Sequence, residues 1–502
     1  MNSYILILLN ERSRTDFLDQ FHRLIQPFSN HTFLLYFTPS LPEIEAGIPF
    51  PFKQFQSKYT GKLKSINYET SFNEHQIDLI INLSGLDILD ENLQNIPEIK
   101  SDFFSQLYMQ FCPAIINGII NRRDTCNFQV TLRTADGMVS QLIQGNFKLL
   151  NYDYKKSLEL IFLGNLHLLA DGVKRYMNRQ FGPTIQDKLH FEIVNPAKLQ
   201  VLKRRLNQNK FKHRIRQLFY FDKWNIGIID APIEEVALQT GKIWEVKWKK
   251  ELEKDDFIAD PFGLDHKENN SIYVEQYINK KGNISTIQNS NTLETKLESN
   301  VHLSYPYTFS HEGKWYCLPE QSAANKIELF QINPISFILE SPKEIISNFQ
   351  AVDSSILFKD EQWFLFCTDA SDKGADIRLH IFIADTLEGP YRPHQKNPVK
   401  SDIQSSRCAG KIFSKNGIFY RPSQNSSKTY GGEIIIQRIE ILTESDYLEI
   451  EINRISPSHL KGNYDQGCHT LSSLGNRTLI DGKRNVFSLR NFFQKLRKKQ
   501  NA

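Results

Sequence analysis

The sequence predicts a two-domain protein, an N-terminal α/β domain followed by an all-β five-bladed propeller. Three observations carry this reading. Strand-like and helix-like runs alternate through residues 1–180, which argues for a mostly parallel sheet with helices packed on it. From Trp224 onward the texture is short strands separated by turn signals. Within that half five units recur, with anchors at Asp260, Tyr305, Asp353, Arg407 and His469.

In the first domain, residues 1–185, Tyr4–Leu9 and Phe33–Phe37 are short apolar runs bounded by polar residues and read as buried strands. Asp78–Leu83 is β-branched and ends at Ser84-Gly85. Asn127–Arg133 alternates and is followed by the turn Ala135-Asp136-Gly137. Helices are expected over Ser101–Gln110 and Ser157–Met177. In the second, Leu158, Ile161, Phe162, Asn165, Leu166, Leu169 and Val173 recur at helical spacing. Residues 186–219 form a basic helical linker bearing Lys203, Arg204, Arg205, Lys210, Lys212, Arg214 and Arg216. A solvated inter-domain helix accounts for it, and contact with phosphate or anionic lipid is the functional alternative.

The repeats span residues 220–488. Each opens with a small polar or turn element and an apolar strand, then a turn, then an aromatic strand, as in Ser304–Phe309 leading to Lys314–Glu320 and Val352–Phe358 leading to Gln362–Cys367. Anchor spacings of 45 to 62 residues leave room for four strands per unit, the sequence signature of propeller blades. The strand Trp224–Ile229 precedes the first unit and is available to pair with the last. Residues 489–502 place Leu489, Phe492, Phe493 and Leu496 beside Lys495, Arg497, Lys498 and Lys499. That basic amphipathic tail predicts peripheral contact with anionic membrane.

Composition sets bounds. With 40% hydrophobic and 24% charged residues the 502-residue chain is neither disordered nor fibrous. A net charge of +4 gives no electrostatic case for nucleic acid. The 35 Phe and 19 Tyr favour strands and stacking surfaces. Six cysteines, at 112, 126, 317, 367, 408 and 468, form no CxxC pair, and no His pair has zinc-ligand spacing. A reducing compartment and no metal site are expected. Tyr4–Leu9 is too short for a signal segment or a membrane span, so the expectation is a cytoplasmic, non-spanning protein.

The innermost strand of each blade lines a propeller's central channel, and the anchors stand at the starts of those strands. Asp260, Tyr305, Asp353, Arg407 and His469 are therefore expected to converge on one axial pocket. Carboxylates gathered at an axis supply base or nucleophile, acid and pKa-tuning groups for sugar chemistry. Asp260, followed by Pro261, is expected in extended backbone and is the candidate base or nucleophile. Asp353 and Glu320 are the supporting carboxylates. Arg407 and Arg421 suit a phosphate or acidic sugar. Gln424, Asn425 and Tyr430, in the polar cluster running from Arg421 to Gly432, complete the substrate-binding set with Tyr305 and His469. The competing reading makes the Asp–Pro and Asp–Ser anchors mere strand-entry turns and the arginines inter-blade ties.

Phe257–Phe262, Ser304–Phe309, Trp315–Glu320, Leu379–Pro390, Asn397–Gly410, Arg421–Gly431 and His469-Thr470 occur in this order. Together they resemble the propeller domain in the N-terminal part of plant glucosamine inositolphosphorylceramide transferases. That domain is distantly similar to five-bladed arabinanases and invertases. The resemblance covers about residues 220–480 and implies a glycan-related activity. By the hydrolase pattern Asp260 matches the first-blade catalytic aspartate and Asp353 is the candidate pKa-tuning aspartate. Glu320 falls in the second blade, earlier than those hydrolases place their acid. The plant enzymes carry their glycosyltransferase domain elsewhere in the chain, and this sequence has no clear counterpart of it.

The first half resembles the formyltransferase fold of methionyl-tRNA and sugar N-formyltransferases, through Asp78–Gly85 and Pro113–Arg133. The family's Asn-x-His is replaced by Phe103–Met109, leaving Asn82 and Asp136, which argues for a degenerate structural or acceptor-binding domain. The sequence as a whole points to a carbohydrate-active, glycosyltransferase-type enzyme acting on a cell-surface glycan or glycolipid precursor. A sugar nucleotide is the possible donor and no cofactor is indicated. The alternatives are an N-formyl or N-acyl transferase on an amino sugar and a non-catalytic glycan-binding scaffold.

Overall fold

The computed structural model describes residues 4–10, 32–38, 64–65, 77–83, 94–107, 112–185, 194–253, 256–265, 270–287, 292–371 and 376–488. The tail 489–502, expected to bind lipid, lies outside them. The chain divides into two compact units, residues 1–211 and 212–502.

Unit 1 is built on a seven-stranded sheet of order β3-β2-β1-β4-β5-β6-β7. The strands are β1 (Tyr4–Asn10), β2 (Thr32–Thr38), β3 (Lys64–Ser65), β4 (Ile77–Asn82), β5 (Glu98–Ser101), β6 (Thr125–Arg133) and β7 (Val139–Lys148). The first five pair in parallel, and β6 and β7 add in antiparallel fashion. The sheet is thus mostly parallel, as expected, with an antiparallel edge at β6 and β7. Helix α1 (Asp102–Leu107) and α2 (Pro113–Ile120) follow β5, and α3 (Tyr154–Met177) follows β7. The Asp153 side chain accepts from the Lys156 N–H and starts α3. Its stripe of Leu158, Ile161, Phe162, Leu166, Leu169 and Val173 is buried. Phe103 and Phe104 are also core, with Phe103 packed edge-on to Phe128 at 5.1 Å. Asn82 donates to Glu98 at 2.6 Å, and Asp136 closes a turn by accepting from the Met138 N–H. Helix α4 (Pro196–Phe219) has Leu202 as its buried residue. No described helix is long and apolar enough to cross a membrane.

Unit 2 holds five successive antiparallel sheets, a propeller-like arrangement. Sheet 1 starts at Phe257–Leu264, sheet 2 at Ser304–His311 and sheet 3 at Ala351–Lys359. Sheet 4 starts at Phe413–Lys415 and sheet 5 at Leu471–Leu474. In sheet 5 the second strand, Arg477–Phe487, pairs along its whole length with Tyr220–Ile229. The beginning and end of the unit therefore share one sheet, so separating them costs a full ladder of backbone hydrogen bonds.

Sheet 4 carries a buried ion pair. Arg421 is fully buried, and its guanidinium contacts Glu449 through Nε at 2.9 Å and Nη2 at 2.6 Å. Its remaining donors reach the carbonyls of Ser405 and Ser406 at 2.7 and 3.2 Å. Lys400 meets the same carboxylate at 2.9 Å. Burial alone would raise the Glu449 carboxyl, but Arg421 and then Lys400 outweigh it and hold its pKa at about 2. Arg421, expected to bind substrate, is committed to the protein itself. Arg421→Met should lower the unfolding free energy by about 3–5 kcal/mol, because it strands a desolvated carboxylate, and the double variant with Glu449→Leu should regain most of the loss. Urea denaturation of the three proteins measures both numbers.

Candidate functional site

Asp260, Tyr305 and Asp353 occupy the same place in sheets 1, 2 and 3. Each begins a β-bulge near the start of its sheet's first strand, where the pairing register shifts. Each has left-handed backbone, with φ of 51°, 45° and 51°. The expected extended backbone at Asp260 is overruled by the bulge, which needs a left-handed residue to bend the strand. Such backbone in a non-glycine residue costs about 1–3 kcal/mol, so it persists only where neighbours hold it. Here acids do so. The Asp260 N–H donates to Asp481 Oδ2 at 3.4 Å, the Tyr305 N–H to Asp260 Oδ2 at 3.2 Å and the Asp353 N–H to Glu320 Oε2 at 3.4 Å.

From the bulges the side chains diverge. The Tyr305 ring is fully buried, packed against Phe262 at 4.8 Å. Its hydroxyl accepts from the Gly410 N–H at 2.6 Å and lies 2.9 Å from Ser355 Oγ. Gly410 has φ of 116°, and a Cβ there would stand 1.9 Å from the Leu471 carbonyl oxygen, so only glycine lets these strands meet. Tyr305 therefore ties sheet 2 to the chain entering sheet 4, and its expected contact with substrate is replaced by a plug.

Asp260 is the centre of the polar cluster. Oδ1 accepts from Thr470 Oγ1 at 2.6 Å and lies 3.8 Å from His469 Nε2. His469 Nδ1 is bonded to Asp481, whose Oδ1 also accepts from the His469 and Thr470 N–H groups at 2.8 and 3.0 Å. The imidazole stacks on Trp224 with centroids 4.0 Å apart and meets Tyr430 edge-on at 5.3 Å. Gly431 leaves room for this stack, since a Cβ would come within 2.8 Å of His469 Cβ. Asp260, His469 and Asp481 offer ligand atoms within 4.8 Å of one another, so these three have the spacing to hold a metal ion, although hydrogen bonds to each other and to Thr470 already engage them.

The second half of the cluster is centred on Asp353. Its Oδ2 accepts from Arg407 Nε at 2.5 Å and Gln424 Nε2 at 2.6 Å. Arg407 also reaches Asp376 at 3.0 Å and the Tyr430 hydroxyl at 3.2 Å, with Glu320 3.9 Å away. Its guanidinium is thus engaged on three sides by protein, contrary to the expected free anion-binding role. Asn425 donates to Glu433 at 2.7 Å and caps Ser427, away from these carboxylates' hydrogen bonds. Tyr430 is 39% exposed and marks the solvent side.

Burial is the largest influence on the acids. It pushes the Asp260 carboxyl up to about 7; His469 opposes it, and Glu275, Asp353 and Asp481 add to it. Glu320 is raised well above the usual carboxyl range by burial and then by Asp353, against Arg407. For His469 burial works against the imidazolium, yet Asp481 and Asp260 outweigh it and its pKa is raised. Groups raised in this way keep their protons to higher pH than free carboxyls and imidazoles do, the condition for proton exchange at a site.

The sequence reading brought Asp260, Asp353, Glu320, Arg407, Gln424, Tyr430 and His469 into one list, and hydrogen bonds or ring contacts join them. It missed Thr470, Asp481, Trp224 and Glu275. Asp481 had a signal, since it sits on the strand that pairs with the Leu471 strand just after His469-Thr470.

Asp260 and His469 both have raised folded pKa values, so the native state holds their protons more tightly than the unfolded chain. Asp260's stabilising contribution is complete below about pH 4 and is lost as pH rises to about 7. Between pH 4 and 8 the stability difference between Asp260→Asn and wild type should shift in the variant's favour by roughly 2–4 kcal/mol. Denaturant titrations across that range check it, and a flat difference would mean an ordinary, solvated carboxylate.

Residues 247–483 match the family described as Glucosamine inositolphosphorylceramide transferase 1, N-terminal. Glucosamine inositolphosphorylceramide transferase 1 of Oryza sativa subsp. japonica is 31% identical over 163 residues, 31% of this chain and 22% of the relative. Its namesake from Arabidopsis thaliana is 26% identical over 260 residues, 46% of this chain and 34% of the relative. The chain thus spans about a fifth to a third of the length of the curated relatives it matches. Among solved structures, the catalytic domain of Coprinopsis cinerea GH62 alpha-L-arabinofuranosidase aligns at TM-score 0.34 and 14% identity, covering 44% of this chain and 78% of its own. Cellvibrio cellulosa alpha-L-arabinanase aligns at 0.30 and 14%, covering 38% and 77%. The second unit is therefore similar, across most of its length, to the N-terminal region of glucosamine inositolphosphorylceramide transferases.

Proposed function

We propose that unit 2 is a five-bladed propeller whose axial acid cluster acts on the sugar of a glycolipid precursor in a glycosyl-transfer reaction. The observation that carries this reading is Asp260, a buried carboxyl with a pKa of about 7, held by groups from two neighbouring sheets. In transfer, an acceptor hydroxyl loses its proton to Asp260 as its oxygen bonds the anomeric carbon, and the donor's own C–O bond breaks. Glu320 carries a proton for a departing oxygen. Asp353 and Arg407 set the local charge, and His469, backed by Asp481, stabilises Asp260 as an anion. The transferase names of the relatives support an enzyme of this class, and the glycolipid in those names supports the acceptor.

A glycan-recognition role without turnover is the second reading. It is favoured by the commitment of Arg407 and Asp353 to protein partners. The N-acyl-transfer alternative has little to work with, because Phe103 and Phe104 fill core where that chemistry needs polar groups.

Mass spectrometry of inositolphosphorylceramide micelles incubated with protein and UDP-N-acetylglucosamine or UDP-glucosamine tests the proposal. Wild type should add one sugar, and Asp260→Asn should lower the rate on the order of 10²- to 10⁴-fold while remaining folded. Asn82→Ala and Asp136→Asn should transfer at close to the wild-type rate. A thermal shift with the lipid but no transfer selects the second reading, and loss of turnover in Asp136→Asn with full activity in Asp260→Asn moves the site to unit 1.

A further inference from the structure

The internal repetition of unit 2 isolates one acid. Glu275 and Glu320 occupy equivalent positions, each paired in register with the residue just before its sheet's bulge: Ala259 with Glu275 and Ser304 with Glu320. Glu320 uses its carboxylate to hold the next sheet's bulge, at the Asp353 N–H. The same duty for Glu275 would fall on the Tyr305 N–H, but Asp260 Oδ2 already takes that proton. Glu275 is therefore released from the structural role its counterpart performs, while staying next to Asp260 across the strand pair.

What Glu275 does instead is specific. It is 7% exposed, and its Oε1 lies 3.1 Å from His302 Nε2. His302 Nδ1 accepts from the Gly282 N–H at 3.0 Å, so the ring's own proton sits on Nε2 and points at Glu275. Gly282 makes the space, for a Cβ there would be 2.9 Å from Glu275 Oε1 and 2.7 Å from His302 Cε1. Among the described residues no donor reaches Glu275 Oε2. The His302 side chain is 45% exposed, so the pair borders solvent. Tyr277, on the same face of the strand two residues on, stacks with Phe257 at 4.5 Å.

We propose that Glu275 is a further substrate-contacting carboxylate of this site, beside Asp260 and Glu320, its free oxygen accepting from the substrate hydroxyl next to the one that Asp260 deprotonates, with His302 as its positioning residue. This rests on the glycosyl-transfer reading. A neutral imidazole donating to one carboxylate oxygen fixes the other toward the opening. No covalent change occurs at Glu275: it orients the acceptor, and the proton goes to Asp260.

Two measurements test it. The first needs no substrate: carboxyl ¹³C NMR of Asp260 in wild type and Glu275→Gln. Removing a like charge that shares the site should lower the Asp260 titration midpoint by about one pH unit; an unmoved midpoint overturns the proposal. The second is transfer from UDP-N-acetylglucosamine to inositolphosphorylceramide micelles. Glu275→Gln and His302→Leu should each lose roughly 10- to 100-fold in kcat/KM, mostly through KM for the acceptor. His302→Gln, whose amide N–H replaces Nε2–H, should recover to within about threefold of wild type. Active wild type with fully active Glu275→Gln overturns the proposal and leaves the glycosyl-transfer reading standing. A wild type that transfers nothing overturns that reading, and the catalytic role with it, while a shifted Asp260 midpoint would still show that the two carboxyls share one site.

Discussion

One carboxylate holds the centre of the second unit together. Asp260 takes the Tyr305 N–H on one oxygen and the Thr470 hydroxyl on the other, while its own N–H leans on Asp481. Those contacts join sheets 1, 2 and 5. A buried carboxylate without such partners would be expelled or neutralised, because desolvating an ion costs several kcal/mol. The left-handed backbone at Asp260 adds its own cost. The two are tolerated together because each bulge N–H is satisfied by an acid and each acid by more than one donor.

The electrostatic character of the site follows from that constraint. Acids used as structural fasteners gather in one cluster, and burial first, with their mutual repulsion added, raises Asp260 and Glu320. The cations present are the answer to this excess. Arg407 spans Asp353 and Asp376, and His469 lies between Asp481 and Asp260. A group that balances buried charge has few donors left for a ligand. The same logic pairs Arg421 with Glu449 within sheet 4, where its loss would be felt in stability.

Repetition supplies the frame and its breaking supplies the chemistry. Asp260, Tyr305 and Asp353 share one backbone conformation, yet the buried tyrosine reaches Gly410, leaving the aspartates to centre two halves of the polar cluster. The neighbouring strand repeats an acid at Glu275 and Glu320, and the tyrosine's loss of a carboxylate at its own bulge is compensated by Asp260 reaching across.

Much of this was legible in the residues. The period of the anchors marked five units, the alternation in Asn127–Arg133 and the stripe in α3 marked a strand and a helix, and the anchors other than Tyr305 meet in one cluster. These are local or periodic properties, set by side-chain spacing along the chain. The antiparallel edge of unit 1's sheet was not legible, because strand direction depends on where a strand docks rather than on its composition. Nor was the backbone at Asp260: the following proline argues for extended geometry, and a bulge imposed by the neighbouring strand overrides it. The roles of Arg407, Arg421 and Tyr305 were likewise decided by partners about 30 to 100 residues away, Asp376, Glu449 and Gly410. Sequence by itself determined which residue types gather at the axis, since their spacing follows the repeat. Only tertiary structure decided which of them face a ligand and which face each other, because in a buried site each charge is claimed by whatever opposite group the fold brings nearest.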